Sequence, residues 1–353
     1  MKPTTIGIGR REMLLGAAGV GAATVLTACT GNSKKSSPPA TTAAAVGNAN
    51  SAPGKTVTIG FSAPAADHGW IAAIANNASA EAKKFSDVKL EAVQPTNDIA
   101  AQIAAVETLI NKKADVIVML PNDGKQLTTV ARKAMNAGIQ VINLDRIFDS
   151  PLAYRTWIGG DNYGMGVSAG DYVGTELKRK GVSNPVIAEV AGIDSLPLTQ
   201  QRSQGFRDSL AKYGFRVGPR QAAQFTVASG QQVTANLLQS APRIDAMWNH
   251  DDDQGVGVLA AIRQAGRSEF FMVGGAGSAN AMREIKADKG VLKATVLYPP
   301  TMASSAIQLA RLLAQGHGMS DLTQPEVPAF ITLYSATVTK ENVDQYLPLG
   351  FES

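Results

Sequence analysis

The chain has a single cysteine in 353 residues, Cys29, so it has neither an internal disulfide nor a cysteine pair for metal or redox chemistry. Its histidines are His68, His250 and His317, and no Gly-x-Ser-x-Gly elbow accompanies them, which argues against a serine hydrolase. Neither Gly7-Ile8-Gly9 nor Gly275-Ala276-Gly277 extends to a G-x-G-x-x-G or a Gly-Lys-Ser/Thr, so no phosphate-cradling loop is expected. A basic stripe is also missing. Lys and Arg number 33 against 29 Asp and Glu, a formal charge of +4. That excess is too small and too scattered to mark nucleic acid as a partner. The longest uncharged apolar stretch, from Met13 to Ala28, falls short of the ~20 residues a membrane-spanning helix needs.

That stretch has another reading. Arg10 and Arg11 form a basic pair, the apolar run follows, and Leu26-Thr27-Ala28-Cys29 ends it. A charged n-region, an apolar h-region and small residues before a cut site are the parts of an export signal in their usual order. The arginine pair favours the twin-arginine route, although general secretory signals also begin with basic residues. Leu-Thr-Ala-Cys resembles a bacterial lipobox, whose cysteine is acylated. At ~0.8 kcal/mol per buried methylene, acyl chains at Cys29 would hold the protein to a bilayer. Residues 30–55 are Ser, Thr, Ala, Pro, Asn and Gly with few aliphatic side chains, the composition of a flexible tether. The expected segments are a signal over 1–28 and a lipidated tether over 29–55, with the folded part outside the cytoplasm on the cell membrane.

Roughly three hundred residues remain, which suits two lobes better than one core. Short β-type runs alternate with helical stretches: strand 57–61, helix 70–85, strand 88–93, helix 99–110, with Asn97 or Asp98 as N-cap. Asp115 to Leu120 is almost continuously apolar, as a strand buried on both faces requires. A helix over 125–137 and a strand over 139–144 follow. After Gly159-Gly160-Asp161 the alternation restarts, with helices over 163–179, 198–213, 230–238, 254–265, 279–287 and 301–314. Strands are expected at 185–190, 215 onward, 244–248, 270–273 and 291–297. Repeated βα winding gives mostly parallel sheets. The fold class is therefore α/β, two doubly wound lobes joined by a hinge.

In such sheets ligands bind beyond the carboxyl ends of the strands. In the first unit those ends supply Asp67, His68, Trp70, Pro121-Asn122-Asp123 and Asp145-Arg146; in the second, Arg202, Phe225, His250, Asp251-Asp252-Asp253 and Tyr298. Carboxylates and planar guanidinium forks make paired hydrogen bonds to vicinal hydroxyls, and aromatic faces cover the C–H surface of a sugar ring. The carboxylates of 251–253 read as a helix N-terminus, with Asp251 facing ligand and Asp252 capping or steadying the hinge, and not as a metal site. Trp70 and Phe225 also fit plain core positions, His68 a loop, and Asp145-Arg146 an ordinary ion pair.

Val141 to Arg146 resembles the Asp-Arg strand end of the periplasmic ribose-binding proteins. Gly160-Asp161-Asn162 with Ala169-Gly170-Asp171-Tyr172 is similar to their crossover into the second lobe, and Arg202-Ser203-Gln204-Gly205-Phe206 to their Arg-x-x-Gly-Phe. The resemblance runs from Thr56 to about residue 338. It implies the type I periplasmic-binding fold, with one lobe over 56–160 plus 299–335 and the other over 161–298 plus 336–353. It further implies a binding protein without catalysis or cofactor that hands its ligand to an ABC permease. The ligand contacts it implies are Asp67, Trp70, Asp145, Arg146, Arg202, Phe225, Asp251 and Tyr298, to which the strand-end position of His68 adds a ninth candidate. Asp67 and Asp251 replace amides of the family, Tyr298 a glutamine, and Ala276 a ligand-binding aspartate. Those changes turn the expectation from ribose toward another small sugar or a polyol. The other readings are a ligand-presenting sensor for a kinase or chemoreceptor and, more remotely, a glycoside-processing enzyme built on a carboxylate pair. A repressor core of the same fold would need a DNA-binding helix-turn-helix where this chain has its leader.

Overall fold

The computed structural model of the protein describes residues 52–319 and 327–353. The leader, Cys29 and nearly all of the tether lie outside the described residues. The chain runs β1 (Val57–Ser62), α1 (Gly69–Ala82), β2 (Val88–Ala92), α2 (Ile99–Asn111), β3 (Val116–Met119), α3 (Gly124–Asn136), β4 (Gln140–Leu144) and β5 (Thr156–Gly160). It continues through α4 (Asn162–Arg179), β6 (Ile187–Ala191), α5 (Pro197–Lys212), β7 (Val217–Ala222), α6 (Val227–Ser240), β8 (Ala246–Asn249), α7 (Asp252–Gln264) and β9 (Phe271–Ala276). It ends with α8 (Ala279–Ala287), β10 (Leu292–Leu297), α9 (Met302–Ala314), β11 (Phe330–Leu333), β12 (Thr337–Thr339) and α10 (Val343–Tyr346).

These strands make two six-stranded sheets, ordered β2-β1-β3-β4-β5-β11 and β7-β6-β8-β9-β10-β12. Every neighbouring pair is parallel except β10 with β12. The two orders are the same winding performed twice, and in each the direction of travel reverses beside the first strand, between β1 and β3 or between β6 and β8. The expected pair of doubly wound α/β lobes is what the structure holds. Burial follows position in the sheet. All residues of β3, β5, β6, β8 and β9 are buried, whereas the edge strand β11 alternates exposed and half-buried.

Three strands escaped the sequence reading. Thr156-Trp157-Ile158-Gly159-Gly160 is short and ends in glycines, so only its pairing between β4 and β11 makes it β5. Strands β11 and β12 are brief edge segments of four and three residues, too short for a period to register. The expected helix starts fall within one residue of those observed except at α6 and α7, which begin three and two residues earlier. Of the two N-cap candidates before α2 it is Asp98 that accepts the Ala101 N–H, at 2.7 Å.

Helices α4 and α5 pack backbone against backbone, which brings Arg202 to the seam between the lobes. A Cβ at Gly166 would lie 2.0 Å from the Arg202 carbonyl oxygen, and one at Gly205 would lie 2.1 Å from that of Tyr163. Only glycine fits at either contact.

The first lobe is tied where its two chain segments meet. Arg311, in the last turn of α9, donates to Asp87 through Nε at 2.8 Å and Nη2 at 2.6 Å. Asp87 also accepts from the Gly54 N–H at 2.6 Å and from Gln315 at 2.8 Å, which anchors the chain as it enters the domain. The Arg311 bonds hold the Asp87 carboxyl well below the usual carboxylate range, against a smaller upward push from burial. An acid with a depressed folded pKa stabilises the fold fully above its ordinary pKa, and that contribution is lost as pH falls below about 4. Arg311→Met strands a buried carboxylate and is expected to lower stability by about 3 kcal/mol at neutral pH. Urea denaturation at pH 7 and pH 3 checks this: the deficit should shrink at pH 3, and a variant as stable as wild type at pH 7 contradicts it.

Candidate functional site

The carboxyl ends of strands from both sheets converge on a small cavity. His68, Trp70, Asp145 and Arg146 reach it from the first lobe. Leu198, Arg202, Phe225, Asp251 and Ala276 reach it from the second, and Tyr298 from the crossover between β10 and α9. Eight of the nine residues singled out in the sequence therefore share one cavity. Asp67 is the one that does not line it. It stands behind His68, with Oδ1 2.5 Å from Nδ1 of the ring, while its Oδ2 accepts from Asn97 at 3.2 Å.

Backbone conformation aims several of these side chains. Among the described residues five non-glycines have positive φ, and three of them line the cavity: Asp145 (56°), Phe225 (62°) and Ala276 (82°). Each stands at or just beyond the end of a strand, and the left-handed turn swings its side chain off the sheet and into the seam. Such conformations cost about 1–3 kcal/mol apiece and persist where the surroundings over-determine them.

A buried guanidinium organises the floor. Arg202, 4% exposed, donates from Nε to Asn162 Oδ1 at 2.9 Å and from Nη1 to the His250 carbonyl at 3.2 Å. Its plane lies over the Tyr298 ring at 4.6 Å and near Phe225 at 5.9 Å. The Tyr298 hydroxyl donates to Asp145 and accepts from Asn162 Nδ2 at 3.1 Å. Burial, joined by the Asp145 charge, pushes the phenol pKa up, so Tyr298 stays a neutral donor. Trp70 donates its indole N–H to the Tyr298 carbonyl at 2.9 Å and packs beside that ring at 5.7 Å.

Arg146 donates from Nη1 to the Asn122 carbonyl at 2.8 Å, and its buried Nε makes no hydrogen bond within the protein. Asp145 Oδ2 lies 4.0 Å from that Nε. Across the seam, Asp251 N-caps α7, its Oδ1 accepting from the Asp253 and Gln254 N–H groups at 2.9 and 3.1 Å. The roles expected within 251–253 thus shift by one residue. The cap must be the extended residue before the helix, and that is Asp251 (φ −153°), while it also faces the cavity. Asp252, already helical, turns inward and accepts from the N–H groups of Gly275, Gly277 and Ser278 at 2.8–3.0 Å and from the Thr295 hydroxyl. It thereby shapes the turn that presents Ala276. Asp123 caps α3 and lies in a neighbouring groove, not in this cavity.

His250 points away from the cavity. It is fully buried, stacks on Trp248 at 4.0 Å, and its Nε2 lies 2.9 Å from Glu189, which also accepts from the Ser203 hydroxyl. Burial lowers the His250 pKa, so the ring is neutral with its proton on Nε2. Burial raises the Glu189 carboxyl, but the bonds from His250 and Ser203 and the Arg220 charge outweigh it and leave it below its ordinary range. This pair sets the neighbours of Ser203 and His250, which are Arg202 and Asp251. The sequence reading missed Leu198, Asn162 and Glu189, whose types carry no distinctive local signal.

With two guanidiniums, two carboxylates and an imidazole, the lining holds close to balanced charge, rich in both donors and acceptors. It suits a neutral, hydroxylated molecule flanked by aromatic faces. Among the described residues no cluster of His, Cys, Asp and Glu is arranged to hold a metal.

Burial, joined by the Asp253 charge, pushes the Asp251 carboxyl up to about 6, opposed by the neighbouring His68 and Arg202. Burial lowers His68, but Asp67, Asp251 and Asp253 outweigh it and leave its pKa raised. A carboxyl whose folded pKa is raised favours the fold below its ordinary pKa, and that advantage fades as pH rises toward about 6. Asp251→Asn keeps a capping oxygen and removes the titration. The melting temperature of wild type, relative to this variant, should fall between pH 4 and pH 6.5; parallel curves would refute the assignment.

Residues 59–318 match the periplasmic binding protein domain family. The ribose import binding protein of Bacillus subtilis (strain 168) is 30% identical over 253 residues, 72% of this chain and 80% of the relative. Among solved structures, a solute binding protein of an ABC transporter from Mycobacterium smegmatis, with bound glycerol, superposes with a TM-score of 0.74 at 25% identity, covering 84% of this chain and 99% of that one. The fructose binding periplasmic domain of a hybrid two component system superposes with a TM-score of 0.72 at 25% identity, over 83% of this chain and 93% of that one.

Proposed function

This chain belongs to the periplasmic binding protein family, and from that premise we propose that it captures a small sugar or polyol in the seam between its lobes and delivers it to an ABC permease. Its relatives are sugar-binding proteins of import systems and not enzymes, and the family works outside the cytoplasm. The observation that carries the reading is the single cavity in which Asp145 and Arg146 of one lobe face Arg202 and Asp251 of the other, roofed by Trp70, Phe225 and Tyr298. A ligand touching both walls binds the closed arrangement better than the open one and so shifts the population toward closure, which a permease reads. The moving bodies are residues 56–160 plus 299–335 and 161–298 plus 336–353. No catalytic role is assigned to any residue of the cavity.

The ligand contacts are His68, Trp70, Asp145, Arg146, Arg202, Phe225, Asp251 and Tyr298, with Asp67 acting through His68. Because Tyr298 already occupies one oxygen of Asp145, fewer ligand hydroxyls fit there than beside a glutamine. Pentoses and short polyols therefore suit the cavity better than hexoses. The structural likeness to a sugar-binding domain of a two component system supports a second reading, in which closure is read by a sensor kinase. A permease and its ATPase encoded beside this gene favour transport; a kinase alone favours sensing.

A thermal-shift panel of D-ribose, D-arabinose, ribitol, glycerol and myo-inositol tests the ligand class. A true ligand at a hundred times its Kd adds about 2.7 kcal/mol to stability. Asp145→Ala and Arg202→Ala each strand buried polar partners and should weaken that ligand about 10- to 100-fold by calorimetry. A panel without a single stabilising compound, or variants that bind like wild type, defeats the reading.

We also assign Cys29 as the lipidated residue and 1–28 as the cleaved signal, on the strength of the Leu-Thr-Ala-Cys motif. Cys29→Ser should move the protein from the membrane to the soluble fraction of fractionated cells. Retention at the membrane would count against the anchor.

A further inference from the structure

Helix α1 begins without a cap of its own. The residue before it, His68, is extended, and its side chain makes no bond to the first turn. In α2, α3, α4, α6, α7 and α8 that place is held by an Asp, Thr or Ser that accepts a first-turn N–H. For α1 the acceptor comes from the other lobe. The Trp70 N–H donates to Asp253 Oδ2 at 2.8 Å, across 183 residues of chain. Asp253 lies in the first turn of α7 and is 2% exposed, while the cap of α7 itself is Asp251. Two helices thus meet N-terminus to N-terminus across the seam. Their partial positive ends oppose one another unless an anion stands between them, and Asp253 is that anion.

The approach is close enough to dictate the residue that starts α1. A Cβ on Gly69 would lie 2.3 Å from the Glu352 carbonyl oxygen, 2.7 Å from Asp253 Oδ1 and 2.8 Å from Ser353 Cα. Those tail residues belong with the second lobe. The Phe351 carbonyl accepts the Ala279 N–H at 2.7 Å, the Ser353 carbonyl accepts from Asn280 at 3.1 Å, and Glu352 pairs with Arg283. Neither Gly69 nor Asp253 lines the ligand cavity.

We propose that Asp253 and Gly69 form a latch that exists only when the lobes are closed: Asp253 supplies in trans the cap that α1 lacks, and Gly69 leaves the room for it. The latch rests on the proposed interlobe binding and sets ligand affinity without touching ligand. When the lobes part, the Trp70 N–H and the Asp253 carboxylate return to water. Their bond then weighs only on the closed side of the equilibrium, and ligand affinity follows it.

The test uses the full chain with Cys29→Ser, labelled at Lys125→Cys and Gln201→Cys, which lie on opposite walls of the groove beside the cavity. Asp253→Ala and Gly69→Ala are compared with wild type, using whichever panel compound stabilises wild type most. Asp253→Ala should weaken binding about five- to thirty-fold, the loss expected of a missing cap, mainly through faster dissociation. Its saturated label distance should match wild type. Gly69→Ala should weaken binding as well and lengthen the saturated distance, since its methyl holds the lobes apart. Both should keep the wild-type circular dichroism spectrum. Binding within twofold of wild type in both variants overturns the latch. If no panel compound binds, the functional reading fails by itself, and the latch is judged on the label distances of the ligand-free chain. Wild type should then keep a short-distance population that both variants lose, and identical distributions overturn it.

Discussion

The placement of Arg202 constrains everything around it. A guanidinium taken out of water costs several kcal/mol unless acceptors and counter-charges surround it. Here Asn162 and the His250 carbonyl take two of its donors, and the Tyr298 and Phe225 rings cover its faces. Each of these partners is fixed by something else. Tyr298 is bonded to Asp145, the strand carrying His250 is braced by Glu189, and the helix carrying Arg202 is pressed against its neighbour by two glycines. Taken together, the first lobe, the second lobe and the crossover between them agree on one position for one cation. That agreement fixes the polar groups that line the seam.

The same winding carried out twice explains why the polar residues gather there. Each sheet reverses its direction of travel beside its first strand, and the chain leaves each strand at the carboxyl end through a turn that a helix must follow. The left-handed turns at Asp145, Phe225 and Ala276 all stand at or shortly after strand ends. A long-range ion pair, Arg311 with Asp87, does the corresponding work at the far end of the first lobe. Rigid lobes suit a closing binding protein, because the ligand's differential affinity is then spent on closure and not on refolding a wall.

Much of this was legible in the sequence. Continuous apolar runs such as Val116 to Met119 announce buried parallel strands, and the rule that ligands sit at strand ends gathers eight of the nine candidates into one cavity. What stayed hidden is non-local. Strand β5 is a strand only because β4 and β11 flank it, and Asp67 could not be told from His68 without knowing which side chain the turn directs inward. The three consecutive aspartates have three separate jobs, because each step along a starting helix turns the side chain by about 100°. Asp251 caps, Asp252 braces a loop of its own lobe, and Asp253 crosses to the other. No local pattern distinguishes them.

The central claim is that a neutral polyhydroxylated molecule lies between the lobes, held by Asp145 and Arg202. A crystal structure of the protein in complex with the best compound of the polyol and pentose series tests it most directly. The account predicts density inside the seam, with ligand hydroxyls within about 3 Å of the Asp145 carboxylate and the Arg202 guanidinium and with Trp70 or Phe225 against its carbon face. Ligand bound anywhere else on a protein whose lobes stay closed without it would contradict the account.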